Sequence, residues 1–244
     1  MSAKSPAPRQ KRSGRFPAAR SGSPQPALRD ADRTRRAILK AATAEFAQNG
    51  LAGARVDEIA EVSGVNKRML YYYYNSKDDL YLAVLEEAYI AMRMSERRLK
   101  LDNLEPLAAI RKLVEFKFDY FAENPAMIWL LNGENMLGAQ HLKRSTRLKD
   151  MHISLVRTIG TILDAGVAGG IIRANVDPLQ LYMSISALSY FFFSNGPTLS
   201  TAFGKDVRSA AARAARRAHA ADVILGYLRP PPEALLTSPK RRRN

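Results

Sequence analysis

Val56-Asp57-Glu58-Ile59-Ala60-Glu61-Val62-Ser63-Gly64-Val65-Asn66-Lys67-Arg68-Met69-Leu70-Tyr71-Tyr72-Tyr73-Tyr74 is the stretch that decides the fold. Its spacing predicts two short helices, 56–63 and 67–73, that meet at Gly64. A glycine there lets the chain turn sharply with positive φ. Helix, tight turn and second helix make a helix-turn-helix signature. Ile59, Ala60, Val65 and Leu70 are the expected small core that sets the crossing angle. Asn66 is placed to cap the second helix, which leaves backbone N–H groups facing outward, where a phosphate can bind. On a helical wheel Arg68 lies about 100° from Lys67, Tyr71 about 40° and Tyr72 about 140°. Lys67, Arg68, Tyr71 and Tyr72 therefore share a face, with Met69, Leu70 and Tyr73 on the other half. Two cations suit phosphates or guanine edges. Two phenols suit phosphate oxygens or thymine methyls. The same face also suits plain solvation, and the turn before it with Ser76-Lys77 after it favours DNA.

The flanking sequence is helical throughout. Ile38, Ala42 and Phe46 repeat every fourth residue and end at Asn49-Gly50. Ser76-Lys77-Asp78-Asp79 is a capping-box pattern with Asp in the Glu position. Asn124-Pro125 and Asp177-Pro178 read as N-caps followed by proline at the first helical position. Glu105-Pro106 opens another helix, and Asn195-Gly196-Pro197 reads as the end of one. No alternating strand pattern and no fixed-period repeat occurs. The expectation is an all-α protein of about nine helices, near 31–49, 56–63, 67–73, 77–100, 105–123, 125–138, 140–169, 178–194 and 204–228.

Residues 34–86 resemble the DNA-binding domain of the TetR/AcrR family of bacterial transcriptional regulators. The carriers are Ile38-Leu39-Lys40-Ala41-Ala42, Phe46-Ala47-Gln48-Asn49-Gly50, Ile59-Ala60, Ser63-Gly64-Val65, Leu70-Tyr71 and Ser76-Lys77-Asp78-Asp79-Leu80, in matching order and spacing. The resemblance implies a three-helix head, a long connecting fourth helix, and a helical effector-binding and dimerising body. By position it places Lys67, Arg68 and Met69 on bases, Tyr71 and Tyr73 on phosphates, and Lys77 at the phosphate-binding start of the fourth helix. The wheel and the family position diverge at Tyr73. Arg55 stands where the family usually has Thr or Ser; it is a poor cap and a good phosphate partner. Tyr74 stands for a common Phe and reads as core.

The chain has 244 residues, 38 basic and 23 acidic, a formal charge of +15. Such an excess suggests an anionic partner. Ten of the fifteen surplus charges sit in short tails: six basic residues and no acidic one in 1–27, and four basic residues in 240–244. The tails are also Pro-rich and poor in large apolar groups, so disorder is expected at 1–27 and 229–244. Between them the reading divides a DNA-binding domain, 28–92, from an effector-binding and dimerising domain, 93–228.

In that body Trp129, Asn132, Glu134, Tyr182 and Tyr190 are candidates to line an effector pocket. Aromatic walls with a few fixed polar groups suit a small molecule, although the same spacing suits ordinary core. The resemblance places the dimer interface on the last two helices. Leu181, Ile185, Leu188, Phe192 and Phe193 give the first an apolar surface. Ala210, Ala211, Ala214, Ala215 and Ala218 allow close approach on the second, beside a solvated row of Arg208, Arg213, Arg216 and Arg217.

Apolar residues make up 46% and there is no cysteine. That excludes disulfides, zinc–cysteine sites and thiol catalysis. His141, His152 and His219 are scattered, with no metal-ligand spacing. No cofactor, metal site or catalytic residue is expected. No apolar run reaches the roughly 20 residues of a membrane span, and a cytoplasmic, nucleoid-associated location is expected. The leading reading is a dimeric regulator, more a ligand-released repressor than an activator, on a palindromic double-stranded DNA operator. The alternatives are a sequence-tolerant nucleoid-type DNA binder driven by the tails, and a helical enzyme or carrier that kept the head as a relic.

Overall fold

The structure, a computed structural model, describes residues 26–231, with the side chains of 26–29 and 149–152 outside that description. The two expected tails therefore lie almost wholly outside the described residues. Within them are ten α-helices, two short 3-10 turns and no strand. The helices are α1 (Pro26–Gly53), α2 (Val56–Ser63), α3 (Lys67–Tyr73), α4 (Lys77–Arg97), α5 (Pro106–Glu123), α6 (Pro125–Met136), α7 (Leu148–Ala168), α8 (Pro178–Ser194), α9 (Gly196–Phe203) and α10 (Ala210–Leu228). No helix among the described residues is long and apolar enough to cross a membrane.

Local signals account for most boundaries. In α1 the regular helix breaks at Gly50, whose φ is 65°. Gly64 takes φ 70° after α2, and the N–H of Val65 returns to the Ala60 carbonyl at 3.0 Å. Ser76 accepts from the Asp79 N–H and Asp177 from the N–H groups of Leu179 and Gln180, as expected of caps. Asn124 differs. It precedes Pro125, but its amide donates back to the Tyr120 carbonyl at 2.8 Å and closes α5 instead of capping α6.

Several boundaries differ from the sequence expectation, beginning with α1, which runs Pro26–Gly53 instead of 31–49. α4 stops at Arg97 because the chain turns left-handed at Lys100, φ 50°. α7 begins at Leu148, since Gly138 and Ala139 both have positive φ and a 3-10 turn, Leu142–Arg144, intervenes. Gly196-Pro197 opens α9 instead of ending the previous helix, because proline suits a first helical turn. Gly204 then ends α9 at φ 62°, and Ser209 caps a separate α10 through the Ala212 N–H.

Burial divides the molecule. Ile38, Ala42 and Phe46 of α1, Ile59 of α2, Leu70 of α3, and Leu80, Val84 and Leu85 of α4 form the head core. Val65 packs against it. A second core joins α5, α7, α8 and α10 through Ile110, Leu113, Ile159, Leu163, Ile185 and Ile224. Full burial of each such side chain contributes roughly 1.5–3 kcal/mol. Met92, Phe121, Met127 and Ile128 form a small cluster of their own.

The head core does not end with the head. Leu130, from α6, is buried within it. Tyr81 of α4 donates to the Leu130 carbonyl at 3.3 Å and sets its ring edge-on to Phe46 and to His141. Burial pushes its hydroxyl pKa up to about 12, with the Glu134 carboxylate adding to the shift. Gly133 faces the same hydroxyl, and a Cβ there would lie 3.3 Å from the oxygen.

Candidate nucleic-acid interface and a buried charge in the body

The α2–α3 unit presents its expected residues in distinct ways. Asn66 caps α3, its side-chain oxygen accepting from the Met69 N–H at 2.8 Å. Arg68, Met69, Tyr71 and Tyr72 are exposed, Tyr72 at 78%. Lys67 is exposed too, but its ammonium pairs with Asp57 of α2 at 3.0 Å. Tyr73 is half-buried, with Tyr72 edge-on and the Arg35 guanidinium 5.4 Å over its ring. The wheel reading of Tyr73 thus describes its packing better than a free phosphate-facing ring does. Met69, which the wheel puts on the hidden half, is exposed because a seven-residue helix buries little besides Leu70.

The two flanking cations are engaged as well. Arg55 makes no side-chain cap. Its own N–H donates to Glu45 of α1 at 2.8 Å, and its guanidinium lies 3.3 Å from Glu58. Asp57 and Glu58 supply negative charge to the first turn of α2, where it is favoured by the helix dipole. Lys77 donates to the Ala52 carbonyl at 3.4 Å and ties the start of α4 to the end of α1. Burial pushes the Tyr74 hydroxyl pKa up, against the opposing charge of Arg35.

The five body candidates do not share one cavity. Tyr182 and Tyr190 line a cavity of about 220 Å³ between α4, α5, α6 and α8, together with Tyr89, Lys117, Phe121 and Asn135. Asn132 sits behind Tyr190, its side-chain oxygen accepting from the Tyr190 and Ser194 hydroxyls. Trp129, 48% exposed, belongs to a separate open cleft with Phe193, Pro197, Arg208 and Arg213. Glu134 lines neither. Its buried carboxylate accepts from the N–H groups of His141 and Leu142 at 2.8 and 2.9 Å and meets His141 Nδ1 at 2.8 Å. It holds the turn after α6, so the assignment of Glu134 to the pocket is corrected.

The sequence reading passes over a buried charge cluster beside that cavity. Arg93 and Glu96 of α4 and Lys117 of α5 are all under 5% exposed. Arg93 lies 2.7 Å and Lys117 3.2 Å from the Glu96 carboxylate. Arg93 also donates to the Tyr182 hydroxyl at 3.2 Å, and the Lys117 ammonium stands 5.1 Å from that ring. Burial pulls the Lys117 pKa below its usual 10.5, against the opposing charge of Glu96. Burial raises that of Tyr182, yet Lys117 and Arg93 together bring it below its usual 10.0. The signal is present in the sequence: Lys117 falls in the apolar stripe of Ile110, Leu113, Val114, Phe118 and Phe121, where a solvated lysine has no place.

The α8–α10 surface also differs from expectation. Leu181, Ile185 and Phe192 are buried inside the chain, whereas Gln180, Ser184, Ala187 and Phe191 face outward. With Val223 and Tyr227 of α10, the first three of these border a groove of about 430 Å³. Arg216 and Arg217 are not a solvated row. Arg216 donates to the Leu188 carbonyl, and Arg217 grips Asp119 with two bonds of 2.8 Å.

Residues 38–84 match the profile described as bacterial regulatory proteins, tetR family, and residues 106–224 match that described as tetracyclin repressor-like, C-terminal domain. The HTH-type transcriptional repressor NicS of Pseudomonas putida is 36% identical over 199 residues, 82% of this chain and 94% of that protein. The HTH-type transcriptional repressor SCO4008 of Streptomyces coelicolor is 30% identical over 67% of this chain and 81% of its own length. Among solved structures, the TetR family regulator PfmR of Thermus thermophilus aligns with a TM-score of 0.56 at 22% identity, over 78% of this chain and 94% of that one. That likeness shows the fold.

Proposed function

We infer the function from one premise: this chain belongs to the TetR family of bacterial regulatory proteins. It is a DNA-binding transcriptional regulator, and its named relatives make it a repressor. The finer reading concerns how it does this. α3 is the recognition helix. Arg68 and Tyr72 reach base edges, with Lys67 joining once Asp57 releases it. Met69 packs on bases, and Tyr71 and the outward N–H groups at Asn66 take phosphates. Arg55, Lys77 and, through Arg35, Tyr73 border the backbone on either side. The observation that carries this reading is the exposed Arg68–Tyr71–Tyr72 face, held at a fixed angle by Gly64 and Asn66.

A single short helix reads few base pairs. Two copies related by a twofold axis read two half-sites about 34–36 Å apart along the duplex. The outward face of α8 with Val223 and Tyr227 of α10 is the surface on which they pair. An effector in the body then shifts the population between two head spacings, which requires different affinities for the two forms. In this reading 28–92 is the DNA-binding part and 93–228 the effector and dimer part.

Selection from random duplexes, followed by salt titration of the preferred site, tests it. The expected result is a palindrome bound roughly a thousandfold or more above random DNA. Lys67→Ala with Arg68→Ala should abolish that preference. A protein with little preference and a steep salt slope, indifferent to both substitutions, would instead be a sequence-tolerant binder.

A further inference from the structure

The cavity between α4, α5, α6 and α8 is walled by the rings of Tyr89, Phe121, Tyr182 and Tyr190. Its volume, about 220 Å³, exceeds the roughly 150 Å³ that accommodates benzene in an engineered cavity. It therefore suits one ring with a short substituent. Aromatic walls favour a planar guest through edge and face contacts.

Its one ionisable nitrogen decides the polarity of that guest. Lys117 lines the cavity and is 1% exposed. Behind it the cluster holds two cations, Arg93 and Lys117, and one carboxylate, Glu96. With all three ionised, one buried positive charge lacks a counter-charge. Uncompensated charge in a buried site is costly. An anion beside Lys117 supplies the missing charge, whereas a neutral guest leaves the surplus in place. Asn135 and the Tyr190 hydroxyl, which is tethered to Asn132, stand on the same cavity as polar groups able to fix the orientation of the ring.

We propose that this cavity takes a single-ring organic anion, a carboxylate seated on Lys117 with its ring among Tyr89, Phe121 and Tyr190. The proposal rests on the reading of the body as the effector domain, and it names the chemical class that domain recognises.

The test uses the full chain and matched pairs of probes: benzoate against benzamide, and phenylacetate against phenylacetamide. Each pair keeps the ring and removes the charge. Titration calorimetry at neutral pH should find at least one acid binding about tenfold or more tighter than its amide, a difference of about 1.4 kcal/mol. Lys117→Met, checked for folding by circular dichroism, should erase that difference. Equal binding of acid and amide to the unmodified chain would overturn the proposal. So would failure of both acids to bind at millimolar concentration to protein that binds its DNA site. Gel shifts separate the two readings. Acids that bind preferentially yet leave DNA bound would uphold the anion site and sink the release mechanism. Neutral probes that release DNA where acids do not would do the reverse.

Discussion

Lys117 and Glu96 make opposite predictions although they form one ion pair. Removing Glu96 as Glu96→Gln leaves two buried cations without a counter-charge, and the chain should lose about 3–5 kcal/mol of stability. Lys117→Met leaves Arg93 and Glu96 balanced and replaces an ammonium by an apolar chain of similar length, so stability should hold or rise. Urea denaturation of the two variants decides; equal losses would show that the cluster carries no surplus charge. The pH dependence follows from the same burial. Lys117 titrates below its usual 10.5 in the folded chain, so between its folded value and 10.5 the unfolded chain binds more protons. Stability contributed by this group therefore rises with pH across that window, and Lys117→Met should remove that part of the slope. Lys117 is legible in the sequence as a charge within an apolar stripe. The role of Glu134 is not, because its partner His141 lies seven residues on, across a turn whose backbone no local pattern announces.

Two short helices depend on single residues for their relative angle. Gly64→Ala would force an L side chain to φ 70°, at a cost of about 1–2 kcal/mol. Asn66→Ala would remove the cap on α3 and cost about 1 kcal/mol. Both should also weaken binding to the preferred site beyond what the stability loss explains, since they disturb the frame that aims Arg68 and Tyr72. Thermal melting beside binding isotherms on folded protein checks this; intact affinity in either variant would show that α3 holds its angle by packing alone. These elements are readable because their signals are local: a glycine, a cap and a four-residue period. α9 escapes such a reading because Gly196-Pro197 serves equally as the end of one helix and the start of another. The choice falls to the loop that returns the chain to α10, which no local window contains. The engagement of Lys67 with Asp57, ten residues away on α2, is likewise invisible to a wheel drawn on α3 alone.

At the scale of the whole molecule, behaviour turns on the proposed pairing face and on the contact between head and body. Tyr227→Glu with Val223→Glu places two charges on the proposed pairing face, outside the buried core. Sedimentation should report a dimer for the unmodified chain and a monomer for this variant, and the preference for a two-half-site duplex should fall with it; an unchanged mass would move the interface elsewhere. Leu130→Ala opens a hole in the head core from the body side and should cost about 2–5 kcal/mol, read by urea denaturation. The sequence reading draws a boundary at residue 92, but packing crosses it, because Leu130 comes back from α6 to finish the head. The Tyr81–Leu130–Gly133 contact has a consequence for how such proteins can be recombined. A chimera spliced in the connecting helix would inherit a head with an unfilled socket. It would fold well only if the donor body brought a leucine-sized plug, with a small residue where the tyrosine hydroxyl rests. Swapping bodies onto this head is therefore a problem of matching one seam, and α6 should travel with the head.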